Sequence, residues 1–293
     1  MTRYVRVCTA VAVLGAALTG CGDGRTAPAS AAASAPAAPA SASVSSPASS
    51  SPASGSPAVK GPPTLAPGAD GLTPVFERGG KTAGKTVALT FDADMTADQG
   101  PRAAEGERFD NPSLIALLRR LDVPSTVFMT GRWAEEYPTQ AKAIGNDPLF
   151  EIANHSYSHY AFTADCYGLP VVGKERMADD VRRAFSAFRT AGARNVVPYF
   201  RFPGGCYDDT ARRALAPAGV TAVQWDVVSG DAFATDADAV AREVLAGVRP
   251  GSLVVMHCTR SAAPVTEEAV RQIVPELRKR GYRFVKVSEL MKP

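Results

Sequence analysis

Three histidines are the whole imidazole complement of this 293-residue chain, and each stands where metal-assisted hydrolysis would use one. His155 and His159 fall in Asn154-His-Ser-Tyr-Ser-His159, and His257 closes the apolar run Ser252-Leu-Val-Val-Met-His257. Neutral imidazole is the commonest protein ligand of zinc, and an imidazole titrating near neutrality is the usual proton shuttle. A spacing of four puts two histidines on one face of a helical turn, within reach of a single ion. Two surface histidines would show the same spacing, so the other polar residues have to be placed before the pattern carries weight. Asp92 and Asp94 follow the run Thr86-Val-Ala-Leu-Thr-Phe91, Arg201 lies inside Tyr199-Phe-Arg-Phe202, and Asp226 and Asp231 follow Thr221-Ala-Val-Gln-Trp225.

Those runs are short, apolar and rich in β-branched or aromatic residues, as buried strands require. Ser125–Thr130, Phe150–Asn154 and Arg283–Val287 read the same way, which makes seven with Ser252–Met256. Amphipathic stretches lie between them, at Ser113–Leu121, Met177–Thr190, Asp208–Leu215, Ala237–Leu245 and Thr266–Arg280. This alternation predicts an α/β fold, a distorted (β/α) barrel of about seven parallel strands in a single domain. An open doubly wound sheet is the competing arrangement, although no Gly-x-Gly-x-x-Gly follows the first strand. Aspartates 92 and 94, His155, His159, Arg201, Asp231 and His257 then all fall at or near the C-terminal ends of strands. Catalytic groups of barrels gather there, and unrelated surface residues would not.

The ends of the chain speak to location. Residues 1–20 read as a signal peptide, with Arg3 and Arg6 ahead of a short apolar stretch, and Leu18-Thr-Gly-Cys21 resembles a lipoprotein processing site that would leave Cys21 to carry lipid. Residues 21–75 are rich in Ala, Ser and Pro and form an expected disordered tether, which leaves 76–293 as the catalytic domain. The expected address is therefore extracytoplasmic and anchored to the membrane through lipid. A formal charge of +3 without clustered basic residues argues against a nucleic-acid partner, and a monomer is expected. An exported compartment permits disulfides. Cys166, after the third strand, and Cys206, just beyond the fourth, are the expected pair, with a Cys206–Cys258 link as the alternative.

In order along the chain, five segments resemble the motifs of the NodB-homology polysaccharide deacetylases, carbohydrate esterase family four. They are Thr90-Phe-Asp-Ala-Asp94, Asn154-His-Ser-Tyr-Ser-His159, Arg201-Phe-Pro-Gly-Gly205, Trp225-Asp-Val-Val-Ser-Gly-Asp231 and Leu253-Val-Val-Met-His257. The resemblance implies a divalent metal cofactor, zinc above all, held by His155, His159 and a carboxylate. It implies Asp92 as general base, His257 as general acid, Arg201 as the group that orients Asp92, and Asp231 as the group that orients His257. Backbone N–H groups at Gly204 and Gly205 would meet the developing oxyanion, and Trp225 would wall the pocket. Three departures stand out. Ala93 occupies the place of the family's metal-binding aspartate, so Asp94 is the expected third ligand, reached because the chain is leaving its strand. Gly204 replaces a tyrosine. Ala232 replaces a tryptophan, with Phe233 available to fill part of that space.

The implied activity is removal of acetyl groups from an N-acetylated polysaccharide such as peptidoglycan or a chitin-like N-acetylglucosamine polymer. An esterase for O-acetylated sugars of the xylan type and a catalytically degenerate carbohydrate-binding lipoprotein are the alternatives.

Overall fold

The computed structural model describes residues 61–68 and 70–292. The expected signal peptide, Cys21 and most of the tether lie outside the described residues. Nine strands form one sheet: β1 (Val75–Phe76), β2 (Thr86–Ala93), β3 (Ser125–Met129), β4 (Phe150–Asn154), β5 (Val196–Phe200), β6 (Thr221–Val223), β7 (Val227–Val228), β8 (Ser252–His257) and β9 (Arg283–Phe284). Their order is β1-β6-β5-β4-β3-β2-β8-β7, with β9 beside the start of β2, and every pairing is parallel. The run Thr221–Val228 belongs to both sides of the sheet. Its first half pairs with β5 and its second half with β8, so one stretch of chain joins two edges and the sheet curls into a distorted barrel. This is the α/β architecture expected from the sequence, in one domain.

Strand alternation divides the side chains between two layers. Val87, Leu89, Phe91 and Ala93 of β2 face the helices, in a core shared with Val127, Met129, Ile152, Val254 and Met256. Ala88 of β2 faces the barrel interior with Phe128, Ala153, Val197, Tyr199, Val223 and Leu253. Strands covered on both faces are buried throughout, as the pattern of β2 shows. The helical layer carries Pro112–Arg120, Met177–Thr190, Asp209–Leu215, Ala237–Gly247 and Thr266–Lys279 close to their expected places. Two short helices not read from sequence, Gly131–Glu136 and Pro138–Gly145, meet at Tyr137, because Pro138 halts one helix and opens the next.

Among the boundaries that differ from expectation, three have a visible cause. Strand β5, the fourth expected from sequence, ends at Phe200, so Arg201 follows it rather than lying within it, although the Arg201 N–H still donates to the Asn154 carbonyl at 2.8 Å. Pro198 lacks an N–H for the ladder, and the β4–β5 register shifts beside it. The last strand stops at Phe284, and Val287–Leu290 turns into a helix. Side chains at the barrel floor take over there: Val287 N–H donates to Thr126 Oγ1 at 2.9 Å and Ser288 N–H to Glu151 Oε1 at 3.0 Å. Finally, the folded domain starts before residue 76. Leu72 and Thr73 are buried, Leu65 N–H donates to Thr221 Oγ1 at 3.0 Å, and Tyr199 Oη donates to the Pro63 carbonyl at 2.8 Å. The described residues from Pro63 to Val75 therefore pack on the barrel rather than belonging to a free tether.

Candidate active site

Alternation along the strands sets the site before any loop does. On β2, Ala88, Thr90 and Asp92 share the interior face, and Asp94 is the next residue in that period. Ala93 points the other way, into the helix-facing core, where a carboxylate would be buried among apolar side chains. The strand persists to Ala93, so Asp94 reaches the interior by ordinary pleating rather than by an early exit into a loop. His155 extends β4, Arg201 extends β5, and His257 ends β8 on the same inward face. Asp92 is in register with His257.

Asp94, His155 and His159 form a cluster whose donor atoms all lie within 4.8 Å of one another. Asp94 Oδ1 is 3.3 Å from His155 Nε2 and 3.6 Å from His159 Nε2. That oxygen is buried and accepts no hydrogen bond, an arrangement that costs free energy unless a cation completes it. The Nδ1 of His155 lies 3.0 Å from the Arg201 carbonyl, which fixes the tautomer with Nε2 free for a metal. Burial disfavours the Asp94 carboxylate, but the neighbouring histidines outweigh it and hold its pKa far below the usual range. Burial also disfavours the His159 imidazolium; it exceeds the pull of Asp94 and lowers that pKa to about 4, so His159 is neutral near pH 7. His155 moves the other way: burial is overcome by Asp92 and Asp94, and its pKa rises. A metal would displace that proton.

His155 and His159 do not share a helical turn. Ser156 and His159 both have left-handed backbones, with φ of 70° and 57°. The turn is held by side chains: Ser156 N–H donates to Asn154 Oδ1 at 2.8 Å, and His159 N–H donates to Ser156 Oγ at 2.8 Å. Tyr157 anchors the turn. It is buried in the main core and its hydroxyl meets Glu135 at 2.8 Å.

On the far side of the cluster, His257 Nε2 approaches Asp94 Oδ2 at 3.8 Å, while His257 Nδ1 meets Asp231 Oδ1 at 2.8 Å. Asp231 also accepts from the His257 backbone N–H, from Thr266 Oγ1 at 2.6 Å and from Ser229 Oγ at 2.8 Å. Burial opposes the His257 imidazolium, but the hydrogen bond and charge of Asp231 outweigh it, with Asp94 and Asp92 behind them, and push its pKa up to about 10. Ser229 and Thr266 were not foreseen, since hydroxyls at these spacings carry no signal of their own. Asp226 has a different task. It accepts from Leu253 N–H at 2.7 Å and Ser252 Oγ at 3.0 Å, and so pins the chain where the barrel closes.

Arg201 is fully buried, with Nη1 2.6 Å from Asp92 Oδ1 and Nε 3.2 Å from the Val223 carbonyl. Its guanidinium sits 3.8 Å from the Phe128 ring centroid and 5.3 Å from that of Trp225. With Oδ1 engaged, Asp92 presents Oδ2 to the cluster, 3.7 Å from His155 Nε2. Of the two glycines expected to face an oxyanion, Gly205 spends its N–H on the Phe202 carbonyl at 2.8 Å. Both glycines have positive φ, and a Cβ on Gly205 would come within 2.5 Å of the Trp225 ring, which packs against this turn. Phe233 does not fill the space of the missing tryptophan: its side chain is 84% exposed. Cys166 and Cys206 form a disulfide with Cα atoms 5.9 Å apart, and Cys258 is free and buried. The bridge ties the loop after β4 to the turn that carries Gly204.

Residues 79–223 match the family model described as polysaccharide deacetylase. The chain is 28% identical over 211 residues to a chitooligosaccharide deacetylase of Sinorhizobium fredii, covering 69% of this chain and 89% of that one. It is also 28% identical over 211 residues to a peptidoglycan-N-acetylglucosamine deacetylase of Bacillus cereus, covering 71% and 89%. Among solved structures it resembles a carbohydrate esterase family 4 pseudoenzyme of Bacillus anthracis, with a TM-score of 0.59 and 25% identity, over 78% of this chain and 70% of that one.

Proposed function

The chain belongs to the polysaccharide deacetylase family, and we propose that it is a metal-dependent amidase that removes acetyl groups from an N-acetylated glycan, with peptidoglycan or a chitin-like N-acetylglucosamine polymer as substrate. The observation that carries this reading is the buried, unpartnered Asp94 Oδ1 facing two imidazole nitrogens, with a held carboxylate and a held imidazole on either side of it. A divalent cation on Asp94, His155 and His159, zinc in our reading, would polarise the acetyl carbonyl and acidify a bound water. Asp92 takes the proton of the attacking water through Oδ2, because Arg201 occupies Oδ1 and fixes the carboxylate. The Gly204 N–H donates to the oxygen that gains charge. His257, kept protonated by Asp231, gives its proton to the departing amine.

A similarity to a pseudoenzyme favours a second reading, in which the domain binds glycan without turning it over. The intact set of base, acid and three metal donors argues for turnover, since a binder needs none of them. Acetate release from chitooligosaccharide, peptidoglycan and acetylxylan, run with metal analysis on the wild type and Asp92→Asn, separates these readings. Release from the first two substrates, lost in the variant, is the expected result. Release from acetylxylan alone would make it an O-acetyl esterase, and no release from any metal-loaded sample would leave a binder. We further propose export and acylation at Cys21; labelled palmitate should attach to the wild type and not to Cys21→Ala, and an unlabelled, secreted wild type would refute it.

A further inference from the structure

Two aromatic side chains on loops that adjoin site residues are left almost wholly in water. Tyr167 is 86% exposed and Phe233 is 84% exposed, the highest values for any large apolar side chain among the described residues. Both also carry a left-handed backbone, with φ of 51° and 60°. Residues with a bulky Cβ substituent rarely adopt that region, and strain of this kind persists where the surroundings enforce it. The enforcement is visible at each position. Tyr167 follows the Cys166–Cys206 bridge, and the Leu169 N–H bonds back to the Cys166 carbonyl at 2.9 Å. Phe233 donates its N–H to the Ala262 carbonyl at 2.6 Å, and Ala234 bonds back to Asp231 at 3.1 Å. Two rings are thus held out into water by backbones that would relax if they were free to.

Their places in the barrel differ. Tyr167 stands on the β4–β5 side, and its ring lies 3.3 Å from the position a Cβ on Gly204 would take. That same Cβ would come within 2.6 Å of Cys166 Sγ, so the bridge excludes a side chain at position 204 and sets an aromatic ring beside it from the neighbouring loop. Phe233 stands on the β7–β8 side, two residues after the aspartate that holds His257. In the strand order β5-β4-β3-β2-β8-β7, Asp94, His155 and His257 are carried at the ends of strands from β4 to β8, between those two flanks. A pyranose ring presents an apolar face of C–H bonds, which an exposed, immobile aromatic ring stacks against at little entropic cost.

We propose that Tyr167 and Phe233 are stacking platforms for sugar units on either side of the unit that loses its acetyl group, so the enzyme takes an extended glycan chain rather than a single sugar. This rests on the deacetylase reading above. The test compares wild type, Tyr167→Ala, Phe233→Ala and Tyr167→Phe on N-acetylglucosamine and on its oligomers of about six units, with steady-state kinetics and with calorimetric binding of the same oligomers to the metal-free protein. Each alanine variant should raise KM and the oligomer dissociation constant by about 3- to 10-fold, with kcat nearly unchanged and no effect on the single sugar. Tyr167→Phe should behave as wild type. Unchanged KM and unchanged oligomer affinity in both alanine variants, in a wild type that releases acetate, would overturn this proposal alone. A wild type that neither binds oligomers nor releases acetate would overturn the deacetylase reading and the proposal with it.

Discussion

Replacing Asp231 with Asn separates the acid from the rest of the machinery. Asp231 accepts four hydrogen bonds, two of them from His257, and its charge is the main reason that the buried imidazole stays protonated. With the carboxylate, the His257 pKa is pushed up to about 10, so nearly every molecule carries the proton at pH 8. Without it, burial pulls the pKa down while Asp94 and Asp92 still pull it up, and it falls back toward the ordinary value of about 6.5, where the protonated fraction at pH 8 is about 3%. Loss of kcat/KM should therefore be about 30-fold at pH 8 and slight at pH 6, and the alkaline limb of the rate profile should move down by about three units. The sign of the stability effect agrees. The folded state binds the His257 proton more tightly than the unfolded chain, so this contribution is complete below about pH 6.5 and is lost as the pH rises through about 10. The assay is acetate release across pH 5–10 at saturating metal. An equal loss at pH 6 and pH 8, with the alkaline limb in place, would refute the assignment of His257 as the acid held by Asp231.

Asp94→Ala should lower zinc affinity by about 10-fold or more and recover part of its activity in excess zinc, because two histidines make an incomplete site. Asp92→Asn should keep the metal, lose about 10²–10⁴ in kcat and not recover. Arg201→Ala should cost about 3–5 kcal/mol in urea denaturation by leaving Asp92 buried without its guanidinium partner, and pairing Arg201→Met with Asp92→Asn should return part of that. Cys166→Ser, which opens a loop of 40 residues, should cost about 2–4 kcal/mol, and reduction of the wild type should lower its melting temperature in the same way. No drop in either measurement would mean that the bridge merely joins loops already fixed by other contacts.

The site was more legible in the sequence than the loops that finish it. Inward-facing residues of buried strands repeat every second position, so Asp92, Arg201 and His257 announced themselves as polar breaks in apolar runs. The same period would have placed Asp94 beside Asp92 without appeal to a loop, had β2 been read through to Ala93. The turn from His155 to His159 was misread as helical because a spacing of four fits a helix equally well. What forces the other geometry is that Asn154 Oδ1 and Ser156 Oγ accept from backbone N–H groups two and three residues on, which a periodicity cannot show. Gly205 was credited with an N–H that a local turn consumes. Thr266 and Ser229 complete the Asp231 cage from 35 and 2 residues away, and nothing about a lone hydroxyl marks it for that work before the chain is folded.

The first folded residues have a consequence for access. Pro63 and Leu65 are bonded to Tyr199 and to Thr221, the residue that opens β6, so the polypeptide joins its domain at the mouth where strands begin. Asp94 and the three histidines lie at the mouth where strands end. A surface held directly at Gly61 would therefore sit behind the barrel, with the reactive groups turned outward. A short linker should leave turnover of a dissolved oligomer untouched, and should set only how far into a fixed glycan mesh the outward face can reach.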